Sequence, residues 1–294
     1  DFQNLNQEDY IKFKLKLGDK NWNVKLFEIN IVAPEYSKQL HQQGISTPTT
    51  FEGTTKKGGK VRLTINDDFI YGYLEENGEK YFIEPGYYFL KDIAKDIFAV
   101  YNANDSTILH HQNENASLTC ANSLPIIKGH EKNLKKNISD KLTSKNAEPV
   151  CRVMNIAIAS DHTMFERYGS IQRVHNHNIG VMNNVQADFD GTGEDPFLVD
   201  LEVVAEYFSE TPEQNPYNTT GEDAAIMLSE FSFWANGEGF GTEINVNESF
   251  SLAQLWTAKS MTINGEANVI GLAFTPGNFS IVEDYLGTDQ YGSA

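Results

Sequence analysis

The hydrophobic positions in the first third of the chain alternate with polar ones. The alternation covers 10–32 and 51–85, and a further apolar run lies at 97–101. A period of two is typical of half-buried β-strands. Asn77-Gly78 stands between two such runs, and this dipeptide is the strongest short hairpin signal. The pattern therefore predicts an all-β meander of about a hundred residues.

Two irregularities interrupt this meander. The alternation slips by one position between Leu26 and Phe27, which predicts a β-bulge in that strand. Residues 33–48 are mostly polar and include Pro34, Gly44 and Pro48, so we expect them to form a loop.

The pattern changes after Cys151. A nearly continuous apolar run at 151–162 predicts a strand buried on both faces. Helices are expected after Ser170 and between Thr220 and Gly237, and strands are expected at 197–208, 267–274 and 279–285, whereas 253–257 is apolar and either helical or extended. This order of elements is that of an α/β layered domain, so the chain as a whole is predicted to be α+β.

The stretch between these two regions is different again. Residues 104–149 are polar, contain six lysines and show little periodicity, so they have too little apolar surface to build a core. We therefore expect three parts: a β-rich domain at 1–103, a polar linker at 104–149 and an α/β domain at 150–294.

Composition and charge restrict the function. The net charge is −18, and residues 150–294 hold four basic against twenty-one acidic residues. An acidic surface repels phosphate backbones, which argues against a nucleic-acid partner. No stretch approaches eighteen consecutive apolar residues, so no membrane-spanning segment is predicted.

Three segments of the second half carry a family resemblance. They are Ala159-Ser160-Asp161-His162-Thr163-Met164-Phe165 with Tyr168-Gly169, then AQLWT at 253–257, then ANVIGLAF at 267–274. Together they resemble the reprolysin (adamalysin) branch of the metzincin zinc proteases. Upstream, Phe51, Gly53, Val61-Arg62-Leu63-Thr64 and Tyr81-Phe82-Ile83-Glu84-Pro85 resemble the reprolysin propeptide, without its usual cysteines. The resemblance covers nearly the whole chain apart from the linker.

The resemblance implies a substrate site on 267–274. In reprolysins this run is the antiparallel edge strand on which a substrate peptide is laid, and an edge strand has free N–H and C=O groups for such pairing. Gly271, Leu272 and Ala273 would then present their backbone to the substrate. On spacing alone, a buried strand with a bulge at its glycine is the other interpretation.

The two cysteines, Cys120 and Cys151, have two interpretations. They are too few and too far apart for a zinc ribbon. They could form one disulfide if the protein is exported. The alternative implied by the resemblance is that Cys120 is a latency cysteine, whose thiolate caps the catalytic zinc of a proenzyme.

The histidines do not form a zinc site in the sequence. His175 and His177 are two positions apart on the predicted helix, or about 200° around its axis, so we expect two separate helix-surface histidines. His162 is expected to have a structural hydrogen-bonding role. The sequence contains no H-x-x-x-H pair, although a catalytic zinc needs three protein ligands. No catalytic or metal-binding residue is therefore assigned, and this chain is not expected to cleave peptides.

The resemblance implies a function for a longer protein. The chain would be the propeptide and the N-terminal part of the catalytic domain of a secreted, cell-surface or periplasmic zinc metalloendopeptidase, inactive as it stands. Its partners would be a protein or peptide substrate and its own propeptide, with zinc bound by an H-E-x-x-H helix following Ala294. The alternative is a non-catalytic relative that binds protein segments, whose sheet would then leave an apolar face uncovered. A carbohydrate- or surface-binding β module has no specific support.

Overall fold

The computed structural model describes residues 10–17, 20–90, 92–103, 119–121, 152–189, 199–237, 239–240, 250–263, 265–274, 277–287 and 290–293. These residues form a seven-stranded sheet, an eight-stranded sheet and four α-helices, a mixed α/β architecture. None of the described helices combines the length and the apolar character needed to cross a bilayer.

The first sheet contains β1 (Tyr10–Leu17), β2 (Lys20–Ile29), β3 (Thr49–Thr55), β4 (Lys60–Asn66), β5 (Phe69–Glu76), β6 (Glu79–Pro85) and β7 (Phe98–Asn102). Each strand pairs antiparallel with the next one along the chain. Asn77 and Gly78 join β5 to β6 with φ values of 56° and 78°, as a type I′ hairpin turn requires. The predicted meander and hairpin are confirmed.

Two predictions for this region are wrong. The pairing of β2 with β1 and β3 runs without a register shift, so there is no bulge. The phase of the pattern changes because Trp22, Val24 and Leu26 pack in the first sheet's own core, whereas Ile31 and Val32 pack against the second region.

The expected loop at 33–48 contains helix α1 (Pro34–Gln42). Pro34 occupies the first turn, where its missing N–H has no cost. Tyr36 and Leu40 lie four positions apart and are both buried, so one face of this short helix belongs to the core.

The second sheet contains β8 (Thr119–Ala121), β9 (Arg152–Ser160), β10 (Val199–Phe208), β11 (Leu252–Thr257), β12 (Met261–Ile263), β13 (Glu266–Ala273), β14 (Phe279–Gly287) and β15 (Gln290–Ser293). The strand order is β10-β9-β11-β14-β13-β12, with β15 beside β14 and β8 beside β13. Pairings among β10, β9, β11 and β14 are parallel, whereas β13 is antiparallel to β14 and β12.

Three helices accompany this sheet: α2 (His162–Tyr168), α3 (Ile171–Phe189) and α4 (Ala224–Asn236). The predicted helices after Ser170 and before Gly237 are confirmed, although Asp223 rather than Thr220 caps the second one. The ambiguous segment at 253–257 is a strand.

Alternate side chains of the central strands fill cores on both faces of the second sheet. Ala157, Ala159 and Leu255 belong to the core that contains α4, whereas Ile156 and Ile158 belong to the one that contains α3. Across the described part of the sheet both faces are therefore packed, and the uncovered apolar face expected for the alternative function is not found. The core that contains α3 also includes Tyr36, Phe69 and Tyr71 of the first region. Side chains of the first region therefore help to cover that face of the second sheet.

Helix α3 lies between the two sheets. All residues from Val174 to Asn183 are buried. The Asn183 amide donates to the Leu63 carbonyl at 3.0 Å and to the Thr64 hydroxyl at 3.0 Å. A Cβ atom on Gly180 would lie 2.7 Å from the Tyr71 ring, so only glycine permits this close approach of the helix to β5.

Candidate functional site

The residues predicted to face a substrate lie on β13. Leu272 is buried, at 3% exposed, Gly271 is partly buried and Ala273 is exposed. On one side these three residues pair antiparallel with β14. On the other side the strand is flanked by β12 at its beginning and by β8 further along.

Strand β8 comes from the predicted linker and lies along the predicted substrate edge. Cys120 pairs with Gly271 and Ala121 pairs with Leu272, in a parallel arrangement. The backbone groups on this side of β13 therefore face another part of the same chain. A peptide that completed the sheet at this edge would have to take the place of β8.

The two cysteine predictions fall outside what the structure describes. Only the backbone of Cys120 is described, within β8. The Cys120 side chain and the whole of Cys151 lie outside the described residues, so the disulfide and the latency thiolate both stay predictions.

The motif around Asp161 builds a buried joint between β9, α2 and β11. Asp161 is fully buried and caps α2 by accepting from the backbone N–H groups of Thr163 and Met164. Its other oxygen accepts from the hydroxyl of Thr257 at 2.6 Å and from that of Tyr217. Two segments that carry the sequence resemblance, 159–169 and 253–257, are thus tied together by one carboxylate.

His162 forms the structural contact that we predicted. Its backbone N–H donates to the Asn215 side-chain oxygen at 3.0 Å, and its Nδ1 lies within hydrogen-bond distance of the same amide. The side chain holds the start of α2 against the loop that contains Asn215.

His177 lies in a buried polar cluster at the seam between the two regions. The cluster consists of Tyr88, Arg167, Tyr168, His177 and Asp284, and we call it the seam cluster. Asp284 Oδ1 lies 3.2 Å from His177 Nε2, and its Oδ2 lies 3.2 Å from Arg167 and 2.7 Å from the Tyr168 hydroxyl. The Tyr88 hydroxyl lies 3.0 Å from His177 Nδ1.

These contacts define the direction of the hydrogen bonds. An ionised carboxylate only accepts, so His177 Nε2 and the Tyr168 hydroxyl donate to Asp284. The remaining nitrogen, Nδ1, then accepts from Tyr88, which belongs to the first region. The His177 imidazole therefore links Tyr88 of the first region to Asp284 on β14 of the second sheet.

Electrostatics supports this assignment. Burial alone would raise the pKa of Asp284, but its interactions with His177, Arg167 and the Tyr168 hydroxyl outweigh burial and hold that pKa below its ordinary value. Burial also raises the pKa values of Tyr168 and Tyr88 well above the ordinary value, so both phenols stay neutral donors. The seam cluster therefore contains an ionised, fully partnered aspartate.

His175 lies in a second buried network, on another side of α3. Its Nδ1 lies 2.6 Å from Glu206, and both side chains are fully buried. The Asn178 amide donates to the same carboxylate at 2.8 Å and to the Ser160 hydroxyl at 3.0 Å. The hydroxyl of Tyr36, from α1, lies 3.4 Å from Glu206.

The prediction of two surface histidines is wrong, since His175 is 0% and His177 is 2% exposed. Helical spacing correctly placed them on different sides of α3, and they have different partners. Helical spacing did not indicate that every side of α3 is buried between Val174 and Asn183. The uninterrupted run HNHN in the middle of a helix was the available signal, because four polar residues in a row suit a helix that makes side-chain hydrogen bonds on more than one side.

The described residues do not fit a zinc site. No group of three or more His, Cys, Asp or Glu side chains among them could hold a metal ion. His162, His175 and His177 each bind protein groups instead.

Comparison with known proteins gives a structural likeness and no sequence match. No family model matches the chain, and no curated protein matches it. The crystal structure of metalloproteinase-II from Bacteroides fragilis is similar, with a TM-score of 0.49 and 8% sequence identity over 96% of this chain and 77% of that chain.

Proposed function

We propose that this chain is the pro-region and the N-terminal part of the catalytic domain of a secreted zinc metalloendopeptidase. The pro-region would be 1–149 and the catalytic part 150–294. A protein or peptide substrate would bind along β13, through the backbone of Gly271, Leu272 and Ala273. The pro-region would hold the enzyme inactive until it is removed.

The observation that carries this proposal is the position of β8. A segment of the polar linker pairs with Gly271 and Leu272, two of the three residues that the resemblance to reprolysins assigns to the substrate. Pairing through the backbone is independent of side-chain identity, so a pro-segment can block such an edge against many different peptides. Occupation of the substrate edge by the chain's own upstream segment would keep a peptide off that edge and so hold the enzyme latent.

The seam between the two regions supports the same proposal. Tyr88 of the first region contacts His177, and the Tyr36 hydroxyl donates to Glu206, the carboxylate that His175 contacts. Asn183 of α3 donates to carbonyls of the first sheet. A pro-region that assists folding must bind elements of the catalytic domain directly. These contacts are of that kind, since they complete hydrogen bonds that buried groups need.

Zinc and its ligands belong, in this proposal, to sequence outside the 294 residues given. The reason is that the sequence contains no H-x-x-x-H pair and that the described residues offer no metal-holding group. We therefore assign no catalytic residue and no metal ligand within the described part of this chain.

The test uses the complete natural gene product. We would measure its zinc content by mass spectrometry and its hydrolysis of a fluorogenic peptide library, before and after limited proteolysis within 104–149. We expect one zinc per chain and a rate that rises at least about tenfold on cleavage, because release of β8 opens the edge, and a tenfold change corresponds to only about 1.4 kcal/mol.

Two variants at one position separate the sources of latency. Proline at position 120 has no N–H, fixes its own φ and restricts the residue before it, so Cys120→Pro should weaken the pairing of β8 with β13 and activate the uncleaved protein if β8 blocks the edge. Cys120→Ser keeps the strand and removes the thiol, so it should activate only if the thiolate caps the metal. A product without zinc, or one that stays inactive after cleavage, would leave the non-catalytic protein-binding relative as the function.

A further inference from the structure

A cavity of about 220 Å³ lies at the seam, between the first sheet and α3. One liquid water occupies about 30 Å³, so this volume corresponds to roughly seven waters. The cavity is thus too large for a single structural water and large enough for a small organic ligand. None of its lining residues belongs to β13, although Tyr88, His177 and Asp284 of the seam cluster contribute to it.

One wall of the cavity is aromatic. Tyr71, Tyr73, Phe82, Tyr88 and Tyr101 contribute rings to it. Four of them lie on β5, β6 and β7 and point to one face of the sheet, because side chains alternate along a strand and are paired across it. Phe82 and Tyr101 stack at 5.5 Å, and Tyr73 meets Phe82 edge-on at 6.4 Å.

The charged groups of the wall are mostly negative. The carboxylates of Glu84, Asp188 and Asp284 line the cavity together with the ammonium group of Lys80, and the Asp284 carboxylate is already paired with Arg167. Glu84 is only 4% exposed and accepts from the Tyr101 hydroxyl at 3.1 Å. Buried negative charge next to the electron-rich faces of aromatic rings favours a cation over a neutral or anionic ligand.

Lys80 provides an example of this preference within the protein. Its ammonium nitrogen lies 4.0 Å from the centre of the Tyr73 ring and 5.3 Å from that of Phe82. Both distances are within the range of a cation–π contact. The aromatic wall therefore already holds one ammonium group at its margin.

We propose that this cavity binds a small organic cation, a primary or quaternary ammonium compound with a few carbon atoms. Tyr73, Phe82 and Tyr101 supply the ring faces, and Glu84 supplies the counter-charge. Because β5–β7 and α3 both line the cavity, the ligand touches both regions of the chain. Its binding therefore stabilises their association by mass action.

The probe is tert-butylammonium chloride, and its matched control is tert-butanol, which has the same shape without the charge. Binding to the 294-residue chain is measured by calorimetry and by the shift in melting temperature, at constant ionic strength set with sodium chloride. We expect a saturable dissociation constant on the order of 1 mM for the cation, and at least about tenfold weaker binding of tert-butanol.

Glu84→Gln keeps the size of the side chain and removes its charge, so it should weaken cation binding by at least about fivefold. Glu28→Gln, at an exposed position on β2, should bind like the original chain. Tyr73→Leu is a second variant, should Glu84→Gln fail to fold, and it should also weaken binding.

Equal binding of tert-butylammonium and tert-butanol would overturn the proposal, as would undiminished binding by folded Glu84→Gln and Tyr73→Leu. A Lys80→Met variant covers a further outcome. Binding that appears only in Lys80→Met would mean that Lys80 itself fills the site, and this too would overturn the proposal.

Discussion

The two sheets of this protein differ in how far apart their paired strands lie in the sequence. In the first sheet every strand pairs with its successor, from β1 to β7. In the second sheet helices separate β9 from its neighbours β10 and β11, and the partner of β13 on one side, β8, comes from the linker. Local pairing has a low cost in loop-closure entropy, whereas distant pairing must be stabilised by something else.

The two regions also differ in their buried side chains. Beside an apolar core that includes Trp22 and Leu74, the first sheet buries Arg62 and Glu84, which contact side chains on the strands next to their own. The second region buries Asp161, His175, His177 and Asp284, each hydrogen-bonded to residues distant in the sequence. The buried polar contacts of the first sheet include ones between adjacent strands, whereas those of the second region join segments that are distant in the sequence.

The largest expected effect comes from removing the anion of the seam cluster. Asp284→Ala leaves the Arg167 and His177 groups without their carboxylate, and breaking a buried ion pair typically costs about 3–5 kcal/mol. Chemical unfolding should show this loss. The matched control is Glu79→Ala in the first sheet, whose exposed bond to Lys20 should contribute little. Equal losses in both variants would contradict the role of the seam cluster.

Two aspartates that cap helices provide the next comparison. Asp223 caps α4 through two backbone N–H groups, and Asp223→Ala should cost about 1 kcal/mol. Asp161 caps α2 and also accepts from Tyr217 and Thr257. Asp161→Ala should therefore cost at least about 2 kcal/mol more, since it leaves buried hydroxyls unpaired. Similar unfolding free energies for the two variants would show that the bonds of Asp161 to Tyr217 and Thr257 contribute nothing beyond the helix cap.

A smaller loss is expected where α3 approaches β5. Gly180→Ala gains up to about 1 kcal/mol of helix propensity, but its Cβ would meet the Tyr71 ring at 2.7 Å, and overpacking costs about 1–3 kcal/mol. We expect a net destabilisation in thermal unfolding. Ser229→Ala, at an exposed position on α4, is the control and should stay within about 0.5 kcal/mol. A Gly180→Ala variant more stable than the original chain would show that the Tyr71 ring moves away from the added methyl group without a net cost.

The smallest expected effect is a loss of folding stability at acidic pH. The pKa of Asp284 is lowered from its ordinary value of 3.8 in the folded protein. The stability that this ionised group contributes is therefore fully present above about pH 4 and is lost as the pH falls through the folded pKa. The difference in unfolding free energy between the original chain and Asp284→Asn should shrink below about pH 4. A difference that does not change with pH would rule out an ionised Asp284.

The local parts of the fold could be read from the sequence. Period-two alternation and Asn77-Gly78 gave the first sheet, and Ser170 and Gly237 marked helix ends, because these signals act within a few residues. Helix α1 was missed because its apolar face is reduced to Tyr36 and Leu40. The apparent bulge in β2 was a change of core, which depends on what packs against each face.

The candidate site was predictable only in part. The family resemblance pointed to Gly271, Leu272 and Ala273, but no pattern in the linker indicated that Cys120 lies beside them. The burial of His175 and His177 depends on residues from α1, β10 and β14 that enclose α3. Contacts of this kind are set by tertiary packing and leave no period in a single sequence.

The central claim is that β8 covers the edge of β13, and amide hydrogen exchange tests it most directly. Exchange would be followed in peptides covering 266–274, in the original chain, in Cys120→Pro and in Cys120→Ser. We predict slow exchange in the original and Ser chains and at least about tenfold faster exchange in Cys120→Pro, since loss of the ladder exposes amides of β13. Equal exchange in all three chains would contradict the claim.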